Sequence, residues 1–279
     1  MLQKVAATGV DLDSVYDQTL QRIKDQKGDR SRLGIEVLMW VSHAERPLRI
    51  DELRHALAVE PQSTDLDPEN IRLQDTVLGS CLGLAIVDEE MSTVRLIHYT
   101  LQEYLSRPGI LPNAHKTLAQ SCLAYLNCHQ VKAFPTMETS KHGDMPFLEY
   151  SSFYWGSHAK IELSNQAKTL APELLSQYPN HISSTLLFNK ISVYNTASAT
   201  HYLFTGLHCA SYFGIIEFDG DKRLQYQSRR LYGDYTAHAG SSAGESRGFG
   251  ATSHTRRHRS RQTGLPGSNA APGRFSQRK

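Results

Sequence analysis

The sequence lacks the features that mark membrane, secreted and ATP-binding proteins. No stretch approaches the roughly twenty consecutive apolar residues that span a bilayer, and residues 1–18 contain no apolar run long enough for a signal peptide. The phosphate-binding pattern G-x-x-x-x-G-K-(S/T) does not occur. We therefore expect a soluble, cytoplasmic chain without a nucleotide cofactor and without a membrane partner.

Cysteine is scarce, and its four copies are scattered. Cys81, Cys122, Cys128 and Cys209 lie in apolar surroundings, which favours buried free thiols in a reducing compartment over a disulfide framework. Cys122, Cys128 and His129 would offer three metal ligands, but no second ligand pair follows at the spacing of a zinc site. We predict no metal site.

No arrangement of residues typical of catalysis can be located either. Neither a Ser/His/Asp set nor a pair of carboxylates stands out by its pattern. The aromatic run Phe147–Trp155 is better explained as core than as a ligand-binding site. We therefore predict a protein that is not an enzyme, with no catalytic, cofactor-binding or metal-binding residues.

Charge is divided unevenly along the chain. Residues 229–279 hold ten Lys or Arg against two Asp or Glu, whereas residues 1–228 hold twenty basic and twenty-six acidic residues. This is an acidic, apolar-rich body with a basic tail rich in Gly and Ser, and we predict that residues 228–279 are disordered. Arg256–Arg261 would suit nucleic acid or nuclear import, but aromatic residues for base stacking are missing there.

Hydrophobic periodicity predicts four helices and then two strands in the first part of the chain. The helices are expected at residues 13–27, 32–42, 51–58 and 69–80, and the strands at 82–87 and 93–99. We expect Asp51 to cap the third helix, and Leu73 to point inward from the fourth. Helices followed by one β-hairpin are typical of a winged-helix module, here over residues 13–106.

The stretch Val94–Ser106 joins the second strand to a helix. Thr100 lies three residues before Glu103, which is the spacing of a capping box. We expect both to support the helix start. His98, at the end of the strand, is better explained by packing or hydrogen bonding than by acid–base chemistry.

After this junction the pattern is helical again. Helices are expected at residues 100–106, 114–126, 147–161, 165–178 and 182–194, with residues 131–145 irregular. Asn113 would cap the second of these helices. The predicted fold class is therefore mainly α, with a winged helix and a helical linker domain over residues 107–200.

Three stretches resemble one family. Val37–Val59, VLMWVSHAERPLRIDELRHALAV, is similar to the segment that follows the NACHT nucleotidase in fungal NACHT–ankyrin proteins. Val94–Leu105 resembles the stretch V-R-L-(V/I)-H-x-(S/T)-x-x-E-(Y/F)-L that closes their winged helix. Thr205–Ile216, TGLHCASYFGII, resembles the start of an ankyrin repeat. These proteins are large signal-transducing ATPases, the fungal counterparts of NOD-like receptors.

The resemblance implies an incomplete ankyrin repeat at residues 201–218. Thr205 and His208 would brace the turn before its first helix, which is a structural role. Gly206 stands where the repeat normally has Pro, and the pattern stops after Phe218, although about three repeats are needed for a stable stack. The family's nucleotidase would precede residue 1, so the chain resembles the middle of such a protein.

Two functions follow as hypotheses. The resemblance implies a non-catalytic regulatory or scaffold module that packs against protein partners, among them a NACHT domain or an ankyrin ligand. The alternative is a winged helix that binds nucleic acid through the helix at residues 51–58. The surface of that helix offers Arg49, Arg54 and His55 against Asp51, Glu52 and Glu60. This balance makes nucleic acid the weaker expectation.

Overall fold

Helices make up most of the described chain, which covers residues 12–60, 62–135, 142–192 and 204–215 of this computed structural model. The first part contains helices α1 (Leu12–Lys24), α2 (Arg30–His43), α3 (Ile50–Ala58), α4 (Gln74–Ser80) and α5 (Tyr99–Leu105), with strands β1 (Leu48–Arg49), β2 (Ala85–Asp88) and β3 (Thr93–Leu96). The second part contains helices α6 (Ala114–Asn127), α7 (His129–Lys132), α8 (Leu148–Ile161), α9 (Ala167–Gln177), α10 (Ile182–Ser192) and α11 (Gly206–Phe213). The tail predicted at residues 228–279 lies outside the described residues.

The sheet has three strands where the sequence predicted two. It is antiparallel in the order β1-β3-β2, with Leu48 opposite Val94 and Ala85 opposite Leu96. No strand was predicted over the segment that forms β1, Leu48–Arg49. A two-residue strand has no alternation to read, and its pairing with β3 is a long-range contact.

Helix α3 starts one residue earlier than predicted, and Asp51 does not cap it. Arg49 is the N-cap residue, and its N–H donates to the Glu52 carboxylate at 2.8 Å. Asp51 instead pairs with the Arg54 guanidinium at 2.9 Å. The carboxylate that supports the start of α3 is thus that of the buried Glu52, not that of Asp51.

The fourth predicted helix is shorter than expected. A 3-10 turn covers Pro68–Asn70, and α4 begins only at Gln74. Leu73, predicted to point inward, has an extended backbone before the helix and is 71% exposed. It therefore does not share the helical face of the buried Val77, because only residues inside the helix follow its period.

One hydrophobic core runs through both parts of the described chain. Trp40 of α2 contacts Phe147, the residue before α8, and Tyr150 of α8 edge-on, with ring centroids 5.3 and 5.9 Å apart. The predicted role of the aromatic run as core is confirmed for Phe147, Tyr150 and Trp155, which are fully buried. The four cysteines are buried and free, as predicted.

The second part is built around the pair α6 and α8. Helix α9 packs on α6, and α10 packs on α8. The predicted helix at residues 114–126 is confirmed, but Asn113 makes no capping hydrogen bond through its side chain and has a left-handed backbone, with φ of 61°. Within the described ranges, no helix has both the length and the apolar character needed to cross a lipid bilayer.

Helix α11 packs closely on α9 and α8 through two glycines. A Cβ atom on Gly206 would lie 2.2 Å from the Leu175 carbonyl oxygen, and one on Gly156 would lie 2.1 Å from the Phe213 ring. Such distances are far inside van der Waals contact. The glycine at position 206 is therefore required by the backbone of α9.

Candidate functional site

His98 holds the start of α5, and the predicted capping box is wrong. The His98 Nδ1 accepts from the Thr100 N–H at 3.2 Å and lies 2.7 Å from the Thr100 hydroxyl. Thr100 lies inside the helix, where its hydroxyl also contacts the Tyr16 hydroxyl at 2.8 Å. Glu103 is exposed. The expected structural role of His98 is confirmed. His98, and not Thr100 as predicted, is the N-cap residue of this helix.

The basic side chains proposed to contact nucleic acid are engaged within the protein. Arg54 donates to the Arg72 carbonyl at 2.6 Å and to Asp51. The His55 ring lies 3.3 Å from the Tyr125 hydroxyl of α6. The Arg49 guanidinium lies 3.7 Å from Glu52. Two of these three side chains, those of Arg54 and His55, are therefore held by other parts of the chain.

The sheet also changes which helix would face DNA. In a helix-turn-helix pair the second helix enters the major groove, and the pair that lies between β1 and the hairpin is α3 and α4. The reading helix would thus be α4, not the helix at residues 51–58. Its sequence QDTVLGS contains Asp75 and no Lys or Arg. A helix without basic residues gains little from phosphate contacts.

The cysteine and histidine residues considered as metal ligands do not come together. Cys122 and Cys128 are buried, whereas the His129 side chain is 69% exposed and lies 3.2 Å from Asp65. Among the residues that the structure describes, no group of three or more His, Cys, Asp or Glu is arranged to hold a metal ion.

The structure brings together three histidines that sequence reasoning missed. His43 ends α2, His115 lies in the first turn of α6, and His158 lies in α8. The Nδ1 atoms of His115 and His158 are 2.9 Å apart. The His43 ring packs edge-on against His115, with centroids 5.4 Å apart, and its Nδ1 lies 2.7 Å from the Ser42 hydroxyl. No local motif links these residues, because they come from three separate helices.

The chain of polar contacts continues through Tyr150. The His158 Nε2 lies 2.9 Å from the Tyr150 hydroxyl, and the Glu45 N–H donates to the same hydroxyl at 3.0 Å. The Arg46 guanidinium lies over the Tyr150 ring, 5.3 Å from its centroid, and makes two hydrogen bonds of 2.8 Å to Glu52. Polar contacts therefore connect the loop after α2 with the buried face of α8.

Burial sets the charge state of these groups. It lowers the pKa of His43 and of His115, and it lowers that of His158 to about 3, with a further lowering from His115 and His43 beside it. Glu45 and Glu162 act in the opposite direction on the pKa of His115. All three rings are thus neutral near pH 7, and only His115 has carboxylates that favour a proton.

A surface groove opens beside His43 and His115. Its volume is about 740 Å³, and it is lined by the end of α2, by the segment from Ser106 to Ala114 and by the end of α8. Glu45 and Glu162 also line it. The outer histidines therefore meet solvent, whereas His158 is fully buried.

The comparison with protein families assigns the first part of the chain. The family described as "GPI inositol-deacylase, winged helix domain" matches residues 16–113. Residues 16–113 form a winged helix domain. The match runs from α1 through α5 and agrees with the sheet and hairpin described above. Neither the curated proteins nor the solved structures gave a match.

The polar network contains a hydrogen bond between the winged helix domain and the helices that follow it. Ser42, His43, Glu45 and Arg46 belong to the domain, and Tyr150 and His158 belong to α8. His115 follows the matched range by two residues. The network is therefore a contact between the winged helix domain and the helices that follow it. We refer to His43, His115, His158 and Tyr150 as the histidine network.

Proposed function

We propose that this chain is a non-catalytic regulatory or scaffold part of a NACHT–ankyrin signalling protein and that it acts by packing against other proteins. The observation that carries the proposal is the shared core. Trp40 of the winged helix domain is buried against Phe147 and Tyr150, and His55 of α3 contacts Tyr125 of α6. Helices of the winged helix domain that already pack against protein support a role in packing more than a role in binding nucleic acid.

The charge of the reading helix also supports this proposal. Non-specific DNA affinity depends on Lys and Arg that neutralise phosphates. In the described part of the winged helix domain, α4 carries none, and Arg72 before it pairs with Asp29. The body of the chain is acidic as well.

The start of α11 fits the resemblance to an ankyrin repeat. The Thr205 N–H donates to the His208 ring at 3.1 Å, and the Thr205 hydroxyl lies 2.8 Å from the same nitrogen. This is the bracing expected of the Thr and His in that motif. We propose that residues 201–218 are an incomplete ankyrin repeat, that the protein partners include a NACHT domain or an ankyrin ligand, and that the chain is cytoplasmic.

Binding measurements on the full chain test the proposal. We expect no detectable ATP binding or ATPase activity by titration calorimetry and phosphate release. Duplex and single-stranded DNA, followed by fluorescence anisotropy over a salt series, should bind weakly and lose that binding when Arg256, Arg257, Arg259 and Arg261 are changed to Gln. Sub-micromolar, salt-dependent DNA binding that survives these changes, or tight ATP binding, would overturn the proposal.

A further inference from the structure

The hydrogen bonds of the histidine network have a direction that follows from their donors. The Glu45 N–H can only donate, so the Tyr150 oxygen accepts from it. The Tyr150 O–H then donates to the His158 Nε2 at 2.9 Å. A neutral His158 carries its hydrogen on Nδ1, which donates to the His115 Nδ1 at 2.9 Å. Each donor has an acceptor in this arrangement, and the hydrogen bonds run from Tyr150 to His115.

We propose that this network is a proton-driven switch in which protonation of His115, at the groove, reverses the hydrogen bonds as far as the Tyr150 hydroxyl. A protonated His115 carries hydrogens on both ring nitrogens. Its Nδ1–H would then face the Nδ1–H of His158 across 2.9 Å. Two donors at this distance repel, and a changed tautomer of His158 relieves the repulsion.

The proton balance of the switch is simple. One proton enters from solvent and none leaves. His115 becomes an imidazolium, whereas His158 stays neutral and carries its hydrogen on Nε2 in place of Nδ1. The His158 Nε2–H then donates to the Tyr150 oxygen, which already accepts from the Glu45 N–H. The hydroxyl hydrogen of Tyr150 loses its acceptor, while the Tyr150 oxygen accepts from both the His158 Nε2–H and the Glu45 N–H.

The surroundings make His115 the entry point for the proton. Glu45 and Glu162 face it and favour its charged form, although burial opposes that form. His158 is fully buried, with His115 and His43 as its titratable neighbours besides Tyr150. On the far side, Tyr150 meets Arg46, Tyr154 and Cys122. The pKa of Arg46 and that of Cys122 are both raised, so neither takes up a proton as pH falls from neutral.

The switch would couple pH at the groove to the contact between the winged helix domain and α8. The Glu45 N–H bond to Tyr150 joins the loop after α2 to that helix. Trp40 packs on the same tyrosine ring. A change in the Tyr150 hydroxyl therefore acts where the two parts of the chain meet.

Nitrogen-15 NMR of the histidine rings in the full chain tests the proposal directly. At about pH 8 the shifts should show His158 with hydrogen on Nδ1 and His115 with hydrogen on Nε2. As pH falls through the titration of His115, the His158 ring should change to the Nε2–H form in the folded protein. His129→Gln, at an exposed side chain outside the network, should leave this change intact.

Two variants distinguish the proposed switch from a cluster of histidines that pack together without changing their hydrogen bonds. In His115→Gln the amide oxygen accepts from the His158 Nδ1–H and takes no proton, so the tautomer change of His158 should be lost. In Tyr150→Phe the acceptor for a His158 Nε2–H is gone, so His158 should keep more of its Nδ1–H form as His115 titrates than it does in the natural chain. The proposal is wrong if His158 keeps its Nδ1 hydrogen while His115 titrates. It is also wrong if His115 titrates only when the chain unfolds.

Discussion

Arg46 and Glu52 form a bidentate ion pair in which the carboxylate is buried and the guanidinium is partly exposed. Both hydrogen bonds measure 2.8 Å, and the side chains are 1% exposed for Glu52 and 30% for Arg46. The same carboxylate accepts from the Arg49 N–H. The pair thus joins the turn after α2 to the start of α3, and Glu52 raises the pKa of the Arg46 guanidinium through its hydrogen bonds.

Removal of the Arg46 charge should therefore be costly. Arg46→Met leaves a buried carboxylate with only the Arg49 guanidinium nearby, and a broken buried pair costs about 3 kcal/mol or more. Urea unfolding of both proteins measures the difference. The matched control is Arg32→Met, whose guanidinium is 68% exposed and pairs with Asp29 and Glu36, and it should cost less than about 1 kcal/mol. Equal losses in the two variants would contradict a special role for Arg46.

The contact between Gly156 and Phe213 predicts that one added methyl group is harmful. The Cβ of Gly156→Ala would lie 2.1 Å from the Phe213 ring, and overpacking of this kind costs about 1–3 kcal/mol. Gly79→Ala is the control, since nothing lies within 4 Å of its added Cβ and alanine favours a helix by up to about 1 kcal/mol. Thermal unfolding should lower the Tm of the first variant and not that of the second.

A double variant gives a further check on this contact. Phe213→Leu removes the ring that the added methyl group would meet. In a double-mutant cycle, Gly156→Ala should therefore cost less in the Phe213→Leu background than in the natural chain. Strict additivity would show that the methyl group is accommodated without meeting Phe213.

Introduction of proline at position 206, the residue that an ankyrin repeat normally has there, should destabilise the chain. Any residue with a Cβ there meets the Leu175 carbonyl oxygen at 2.2 Å, and a backbone atom of α9 cannot turn away as a flexible side chain can. Gly206→Pro and Gly206→Ala should both lower the urea midpoint. A gain in stability with proline would show that position 206 follows the ordinary ankyrin pattern despite its contact with α9.

Stability should fall as pH drops below about 6.5. The pKa of His158 is lowered to about 3 and that of His181 to about 4, in both cases mainly by burial. Between the folded and unfolded pKa values the unfolded chain binds these protons and the folded chain does not. The free energy of unfolding then decreases by about 1.4 kcal/mol per pH unit for each histidine. Burial raises the pKa of Glu36, so the folded chain binds that proton more readily than the unfolded chain. This opposes the loss of stability at low pH by at most the contribution of one proton.

Unfolding in urea at several pH values measures this dependence. His181→Gln should reduce the slope of the free energy of unfolding against pH by the contribution of about one proton near pH 5. His181 is held by its contact with the Leu126 carbonyl at 2.9 Å and by the Ser183 N–H at 3.2 Å, so its loss also lowers stability at neutral pH. Leu73→Gln, at an exposed side chain that does not titrate, is the control and should not change the slope. An unchanged slope in His181→Gln would contradict the prediction.

Periodicity was sufficient to locate most helices, and tertiary contacts decided their ends. Residues 114–126 and 147–161 show a repeated apolar pattern, and their helices lie within a residue or two of the predicted bounds. The start of α3 was misjudged because Asp51 is the nearest capping residue in sequence. Arg49 is the N-cap instead, and its N–H donates to Glu52, which Arg46, six residues upstream, holds in place.

The histidine network lay beyond local sequence reasoning for a related reason. His43, His115 and His158 each look like single histidines on helices, and nothing in the spacing connects them. Only the packing of α2, α6 and α8 brings the rings together. In contrast, the resemblance to an ankyrin repeat already implied the roles of Thr205 and His208, which contact each other within one turn of the chain.

The two tryptophans of the chain occupy two different packing layers. Trp40 lies where the winged helix domain meets α8, and Trp155 lies where α8 meets α11, with its ring 5.2 Å from Phe213. Both are fully buried, so each indole emits from an apolar environment until its own layer opens. The natural sequence therefore carries one fluorescent reporter for the contact between the winged helix domain and α8, and another for the contact between α8 and α11.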